Sequence, residues 1–399
     1  MNGIDWVSVG LDAARVLVVF VVVLVLVMLV IWAERKIIAD MQSRIGPNRA
    51  GPFGVLQSLA DGVKLFMKED IIPSSADRVV FTLAPIISMV PAFLSFSVVP
   101  LGDTITVAGR TMPLQVVDLN VGILFFLAMG SLSVYGVALA GWSSGSKYPL
   151  MGAVRSTAQM ISYEIAMGLA VIPVILYAGT MSTRGIVEAQ QGGWFILVQS
   201  PAFVIFLLAG IAETNRAPFD LPEAETELVA GYHTEYSGVK FAMFFLAEYL
   251  HIVTISAVAV TLFWGGWLGP RFDVLPWLWP TVWFVLKTFV FVFLFFWLRA
   301  SMPRLRYDQL MSVGWKWLIP IGLLWVPFSA VAQVVPAERW FLIVGGIVVA
   351  LFVLGMFVPA REPEDGPPTT GARRVRVPRS VEEQPSEPGV VAEDLREQP

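Results

Sequence analysis

Long apolar runs alternate with shorter polar intervals along most of the chain. A helix needs roughly 20 mostly apolar residues to cross about 30 Å of hydrocarbon. Nine runs meet that length, at Ala14–Ala33, Val79–Pro100, Asp118–Gly141, Thr157–Gly179, Trp194–Ala212, Val239–Gly265, Trp277–Leu298, Trp317–Val335 and Trp340–Val358. Several open on Trp, as interfacial anchors do. The pattern predicts an all-α polytopic membrane protein with about nine transmembrane helices. The first run is not a cleaved signal: its core is too long, and Glu34-Arg35-Lys36 follows it as a stop.

The interval between the first two runs is too long for a bare connection. Within it, Pro52–Lys68 places Leu56, Leu59, Val63 and Phe66 on one helical stripe, with Gln57, Asp61, Lys64 and Lys68 opposite. An amphipathic helix of this kind lies in the plane of the membrane interface. It reads either as a peripheral helix sealing the bundle or as one wall of a lateral opening for a lipid-soluble substrate. Ahead of it, Gly46-Pro47 and Gly51-Pro52 mark a turn-rich, ordered loop. From Pro359 the apolar pattern stops. Eight Pro, nine acids and six Arg fill the last 41 residues, a composition that cannot bury enough surface to offset its ordering entropy. The expected organisation is therefore a membrane domain over 1–358 and a disordered cytoplasmic tail over 359–399. No internal repeat is visible, which argues against an inverted-repeat transporter.

Basic residues orient the spans. Alternate intervals and the tail collect 20 Lys and Arg on one side, against five on the other. Positive charge accumulates on the cytoplasmic side, so the N-terminus is expected outside and the tail in the cytoplasm. Composition agrees with a membrane protein: 56% of residues are hydrophobic, 15% charged, and the mean hydropathy is +0.71. There is no Cys, which excludes disulfides, thiolate zinc and cysteine-ligated iron–sulfur clusters in this chain. His233 and His251 are too few for the paired axial ligands of a two-haem cytochrome. Electrons, if used, arrive from another subunit.

The densest chemical signal is acidic. Glu213, Asp220, Glu223, Glu225, Glu227 and Glu235 surround a single Arg216, while Glu164 and Glu248 fall inside spans. A charge at a span's centre costs roughly 2.5–3.5 kcal/mol on insertion scales and is a functional hypothesis by default. Carboxylates crowded in low dielectric hold one another's protons, so the set can form a proton path. For the loop acids a solvated face or docking surface is the competing reading. For Glu164 and Glu248 it is a structural ion pair, with Lys287 a possible partner. His251, one turn beyond Glu248, can hydrogen-bond it. No metal site is indicated. Arg216 can pair bidentately with the acids and stabilise an anionic head group. Arg35 and Lys36 read as anchors or cavity-lining residues.

Three strings resemble a known family. They are Glu34-Arg35-Lys36 followed by Met41–Asn48, then Ala212–Glu223 continuing through Glu227 to Tyr236, and Arg299–Gln309 with Pro303–Asp308 at its centre. Together they resemble the H subunits of bacterial proton-pumping NADH:quinone oxidoreductase, respiratory complex I, the counterparts of mitochondrial subunit 1. The resemblance runs from about residue 15 to 330. It implies a membrane subunit joining the redox arm to the membrane arm and forming much of a quinone chamber, linked to proton translocation by a carboxylate funnel. Glu164, Glu213, Glu223, Glu225, Glu227 and Glu248 would be funnel members. Arg35, Arg155, Arg216, Asp220 and Arg299 would lie at the chamber, and Asp61 and Lys64 on the path into it. The implied substrate is a quinone, menaquinone or ubiquinone, with FMN and iron–sulfur clusters held by partner subunits. Implied partners are the soluble subunit with the terminal cluster, the soluble quinone-site subunit, small and antiporter-like membrane subunits and membrane lipid, not nucleic acid. A homologous subunit of an energy-converting hydrogenase and a stand-alone ion transporter are the competing readings.

Overall fold

The computed structural model describes residues 6–107, 110–220, 228–273 and 275–334. The ninth expected span, the tail from Pro359 and the acids Glu223, Glu225 and Glu227 lie outside the described residues.

Seven helices among the described residues are long and apolar enough to cross a membrane. In chain order the helices are α1 (Trp6–Met41), α2 (Gln57–Met67), α3 (Arg78–Ser97), α4 (Gly122–Ser143), α5 (Lys147–Ala178), α6 (Thr183–Ala189), α7 (Ser200–Glu213), α8 (Gly238–Phe263), α9 (Trp279–Ser301), α10 (Tyr307–Val313) and α11 (Ile319–Val334). A π-helical turn, Gly314–Leu318, joins α10 to α11, so the pair forms one span. A short antiparallel hairpin, β1 (Thr104–Val107) and β2 (Arg110–Pro113), departs from the all-helical expectation, with Thr104 opposite Pro113.

Local chemistry sets several boundaries. The Asp77 carboxylate accepts hydrogen bonds from the backbone N–H groups of Val79 and Val80 and starts α3. Gly179 takes the left-handed conformation that ends α5, its N–H bonding Ile175 O. The fifth expected span is shortened. Phe195–Leu197 forms a 3-10 turn, tied by the buried Gln190 side chain, which accepts from Phe195 N and Gly265 N, so the helix begins only at Ser200. At 14 residues it is about 21 Å long.

α8 is the axis of the bundle, with 78% of its apolar stretch buried, whereas α1 is largely exposed along its apolar length, as a helix facing lipid would be. α3 packs on α4, α4 on α5, and α5 on α7 and α11. At Gly136 on α4 an added Cβ would come within 2.6 Å of Ser88 N, so only glycine permits the close α3–α4 crossing.

α2 lies against α1 and α8 through its polar side, with Ser58 buried and Asp61 half-buried, and leaves Leu56, Leu59, Val63 and Phe66 exposed. An apolar stripe turned away from the protein fits a helix seated in the membrane surface. At the other end of the bundle, Asp103 binds Arg271 at 2.8 Å and lies 3.8 Å from Arg184 on α6, clasping the segments between spans in a partly exposed ion-pair cluster.

Candidate functional site

The end of α1 nearest α2 carries an acid and a base side by side. The Glu34 side chain is almost fully buried and accepts a hydrogen bond from Arg299 Nη1 on α9. Arg216, in the turn after α7, places Nη1 3.7 Å from the same carboxylate. Its Nε lies 2.6 Å from Glu248 Oε1 on α8, and its guanidinium stands 4.5 Å over the ring of Tyr249. Two carboxylates and two guanidiniums thus alternate in one knot, with Glu34, Arg216 and Glu248 inside it and Arg299 at its exposed edge; pairing with opposite charge is how a folded chain tolerates charges removed from water.

A cavity of ≈ 510 Å³ opens beside this knot, lined by Glu34, Arg35, Gln42, Arg216, Tyr249 and Arg299 among others. That volume lies within the range of small-molecule sites. Its wall combines guanidinium groups with the rings of Phe245 and Tyr249, a surface suited to a flat, polar-edged head group that gains negative charge.

Polar groups continue from Glu248 into the bundle. His251, one turn further along α8, has Nε2 3.1 Å from Ser133 Oγ on α4. Glu213 ends α7, buried, and with Ser133, Tyr232, Glu248 and His251 lines a second cavity of ≈ 20 Å³. A Cβ added at Gly130 would lie 3.0 Å from Glu213 Oε1, while the neighbouring Ser131 donates a hydrogen bond to Glu164 on α5. Glu164 and Glu213 therefore meet the same turn of α4.

On the α2 side, Arg35 donates to Asp61, which also accepts from Gln57. Burial raises the Asp61 pKa, but the hydrogen bonds from Arg35 and Gln57 and the charges of Arg35 and Lys64 outweigh it and hold the group below its ordinary value. Lys64 itself is exposed.

The structure thus gathers Arg35, Arg216, Arg299 and Glu248 around one cavity or its knot, and Glu164 and Glu213 behind them. Asp220 pairs with Arg304 at 2.9 Å, and neither it nor the half-buried, engaged Arg155 is among the lining residues. Lys287 is not the counter-ion of an intramembrane acid: its Nζ donates to the carbonyls of Trp264, Gly266 and Leu268 at 2.8, 3.0 and 2.7 Å and faces the Trp194 ring. The side-chain partner of His251 is Ser133 rather than Glu248. Sequence reasoning does not single out Glu34 or Tyr249. Glu34 hides within a stop signal, although an acid at the end of an apolar run is a signal in itself. Among the described residues, no group of three or more His, Cys, Asp or Glu is placed to hold a metal ion.

Comparison with known proteins bears on this arrangement. The family described as NADH dehydrogenase matches residues 14–330. The H subunit of NADH-quinone oxidoreductase from Frankia alni is 54% identical over 344 residues, covering 84% of this chain and 76% of the relative. The protein of the same name from Frankia casuarinae is 53% identical over 354 residues, covering 86% and 79%. The chain belongs to the NADH dehydrogenase family, alongside the H subunits of NADH-quinone oxidoreductase.

Proposed function

We propose that this chain, as a membrane subunit of respiratory complex I, forms much of the quinone chamber and couples quinone reduction to proton translocation through its buried carboxylates. The observation that carries the reading is the continuity from the ≈ 510 Å³ cavity through the Arg216–Glu248 pair to Glu213 and Glu164. The quinone, menaquinone or ubiquinone, reaches the cavity from the bilayer past α2, whose apolar stripe meets the membrane and whose Asp61 is tied to the cavity-lining Arg35. Lys64 lies on the same path.

Reduction to quinol takes two electrons, delivered by an iron–sulfur cluster in a partner subunit after FMN, and two protons. Negative charge growing on the head group competes with Glu34 and Glu248 for the guanidiniums of Arg216 and Arg299. A carboxylate that loses its counter-ion takes up a proton from the next acid. The deficit then passes through Glu213, the Glu223, Glu225 and Glu227 acids and Glu164 into antiporter-like membrane subunits. Arg155 and Asp220 support the chamber from its border. The chain works as a multi-pass protein of the bacterial inner membrane, N-terminus outside and tail in the cytoplasm.

Two measurements test this. Glu213→Gln and Glu248→Gln should lower quinone reductase activity and proton pumping together, and wild-type values for both variants would sink the coupling role. An azido-quinone should label the 52–68 segment or the surroundings of Arg216 in native membranes, with the label competed away by excess quinone. No competable label would remove the chamber assignment.

A further inference from the structure

Between Glu213 and Glu248 the chain of acids is interrupted. Glu248 Oε1 is committed to Arg216 at 2.6 Å, and the buried Glu213 Oε2 has no hydrogen-bond partner among the described residues. The two side chains face a common cavity of ≈ 20 Å³. One water molecule needs roughly 10–15 Å³ measured this way, together with two to four polar partners, and the cavity supplies both. Its wall includes Ser133, Tyr232 and His251 in addition to the two acids. His251 is a buried titratable group that the coupling scheme above leaves unused. Its ring is fixed, because Nε2 lies 3.1 Å from Ser133 Oγ and that hydroxyl reaches Ser88 O at 3.4 Å. The pair therefore joins α3, α4 and α8 in one polar wall.

We propose that this cavity seats a single water that passes protons between Glu213 and Glu248, and that the Ser133–His251 pair positions it. The inference rests on the funnel reading and adds to it two positioning residues and a relay. The transfer is balanced: the Glu213 carboxyl gives its proton to the water oxygen as the water gives one of its own to the Glu248 carboxylate. One O–H bond breaks and one forms at the water, which is regenerated. Glu213 ends as the anion and Glu248 as the acid.

The test uses the intact complex in native membranes. His251→Leu fills the cavity with an apolar group and removes the ring nitrogens, whereas Ser133→Ala releases the ring at the cost of one atom. Both should slow quinone reductase turnover by about tenfold or more, up to the roughly 10²–10⁴-fold of a fully lost proton-transfer step. Pumping should fall in parallel, the D2O effect on turnover should grow, and the KM for quinone should stay unchanged. His251→Asn, which can still hydrogen-bond a water, should recover most of the lost rate. A merely structural role would alter the amount of assembled complex without moving the isotope effect. If His251→Leu and Ser133→Ala keep wild-type turnover and isotope effect while Glu213→Gln and Glu248→Gln abolish coupling, the positioned water is wrong and the funnel stands. If all four variants behave as wild type, both readings fall. Should His251→Leu not assemble, Ser133→Ala decides alone.

Discussion

Arg216 holds Glu248 at 2.6 Å while the same guanidinium reaches Glu34 at 3.7 Å. One side chain thus bridges the end of α1 to the buried face of α8, and its planar fork makes both contacts while the Tyr249 ring supports it from one side. A lysine offers a single point charge on a flexible stem and cannot reproduce that geometry. Arg216→Lys should therefore keep the complex assembled but lower quinone reductase turnover by roughly tenfold to hundredfold, the scale of a misplaced group at a reacting centre. Arg216→Met breaks the buried pair with Glu248 while Glu34 keeps Arg299; breaking a buried pair costs about 3–5 kcal/mol and should reduce the amount of assembled complex. Turnover per assembled complex, quantified on native gels, distinguishes the two effects.

Lys287 serves a different end of the molecule. Its ammonium closes three carbonyls that follow α8, so Lys287→Met should strand those acceptors. The expected cost is about 2–4 kcal/mol, from the loss of hydrogen bonds to a charged group. Thermal unfolding of the purified complex should show it as a lower midpoint, with the KM for quinone unchanged because Lys287 does not line the ≈ 510 Å³ cavity proposed to take the quinone.

Acid should loosen α2 from α1. The folded-state pKa of Asp61 lies below its ordinary 3.8. The stability that its ionised form contributes is therefore present above that ordinary value and is lost as pH falls through the lower folded value. A spin-label distance between α1 and α2 should stay constant from about pH 8 to about pH 5 and lengthen only in stronger acid. In Asp61→Asn the separation should be longer throughout and independent of pH. A wild-type distance that changes near neutrality would show that another group controls the contact.

Much of the fold was legible because lipid imposes it. The apolar runs fall on α1, α3, α4, α5, α8, α9 and the α10–α11 span, and the stripe over Leu56–Phe66 is the exposed face of α2. Two features were hidden. Run length alone did not reveal that Gln190 anchors a turn at Phe195 and shortens α7, because that anchor is a tertiary contact. Nor could helical spacing reveal that Glu34 meets Arg299, 265 positions further along. Spacing reports neighbours on one helix, whereas this pair is made by two helices packing side by side. Glu164, Glu213 and Glu248 could be singled out individually by the cost of placing acid in lipid. Their convergence on α4 and Arg216 needed the packing.

The ion pairs at the two ends of the bundle differ in their access to solvent. Asp103 and Arg271 meet where ions can reach them, with 32% and 56% of their side chains exposed, whereas Glu34, Arg216 and Glu248 retain 11% or less. Mobile ions weaken exposed charge pairs over about 8–10 Å at physiological ionic strength and scarcely touch buried ones. The molecule therefore carries a clasp whose strength follows the ionic strength around it, while the contacts of Arg216 with Glu34 and Glu248 are insulated from changes in the surrounding medium.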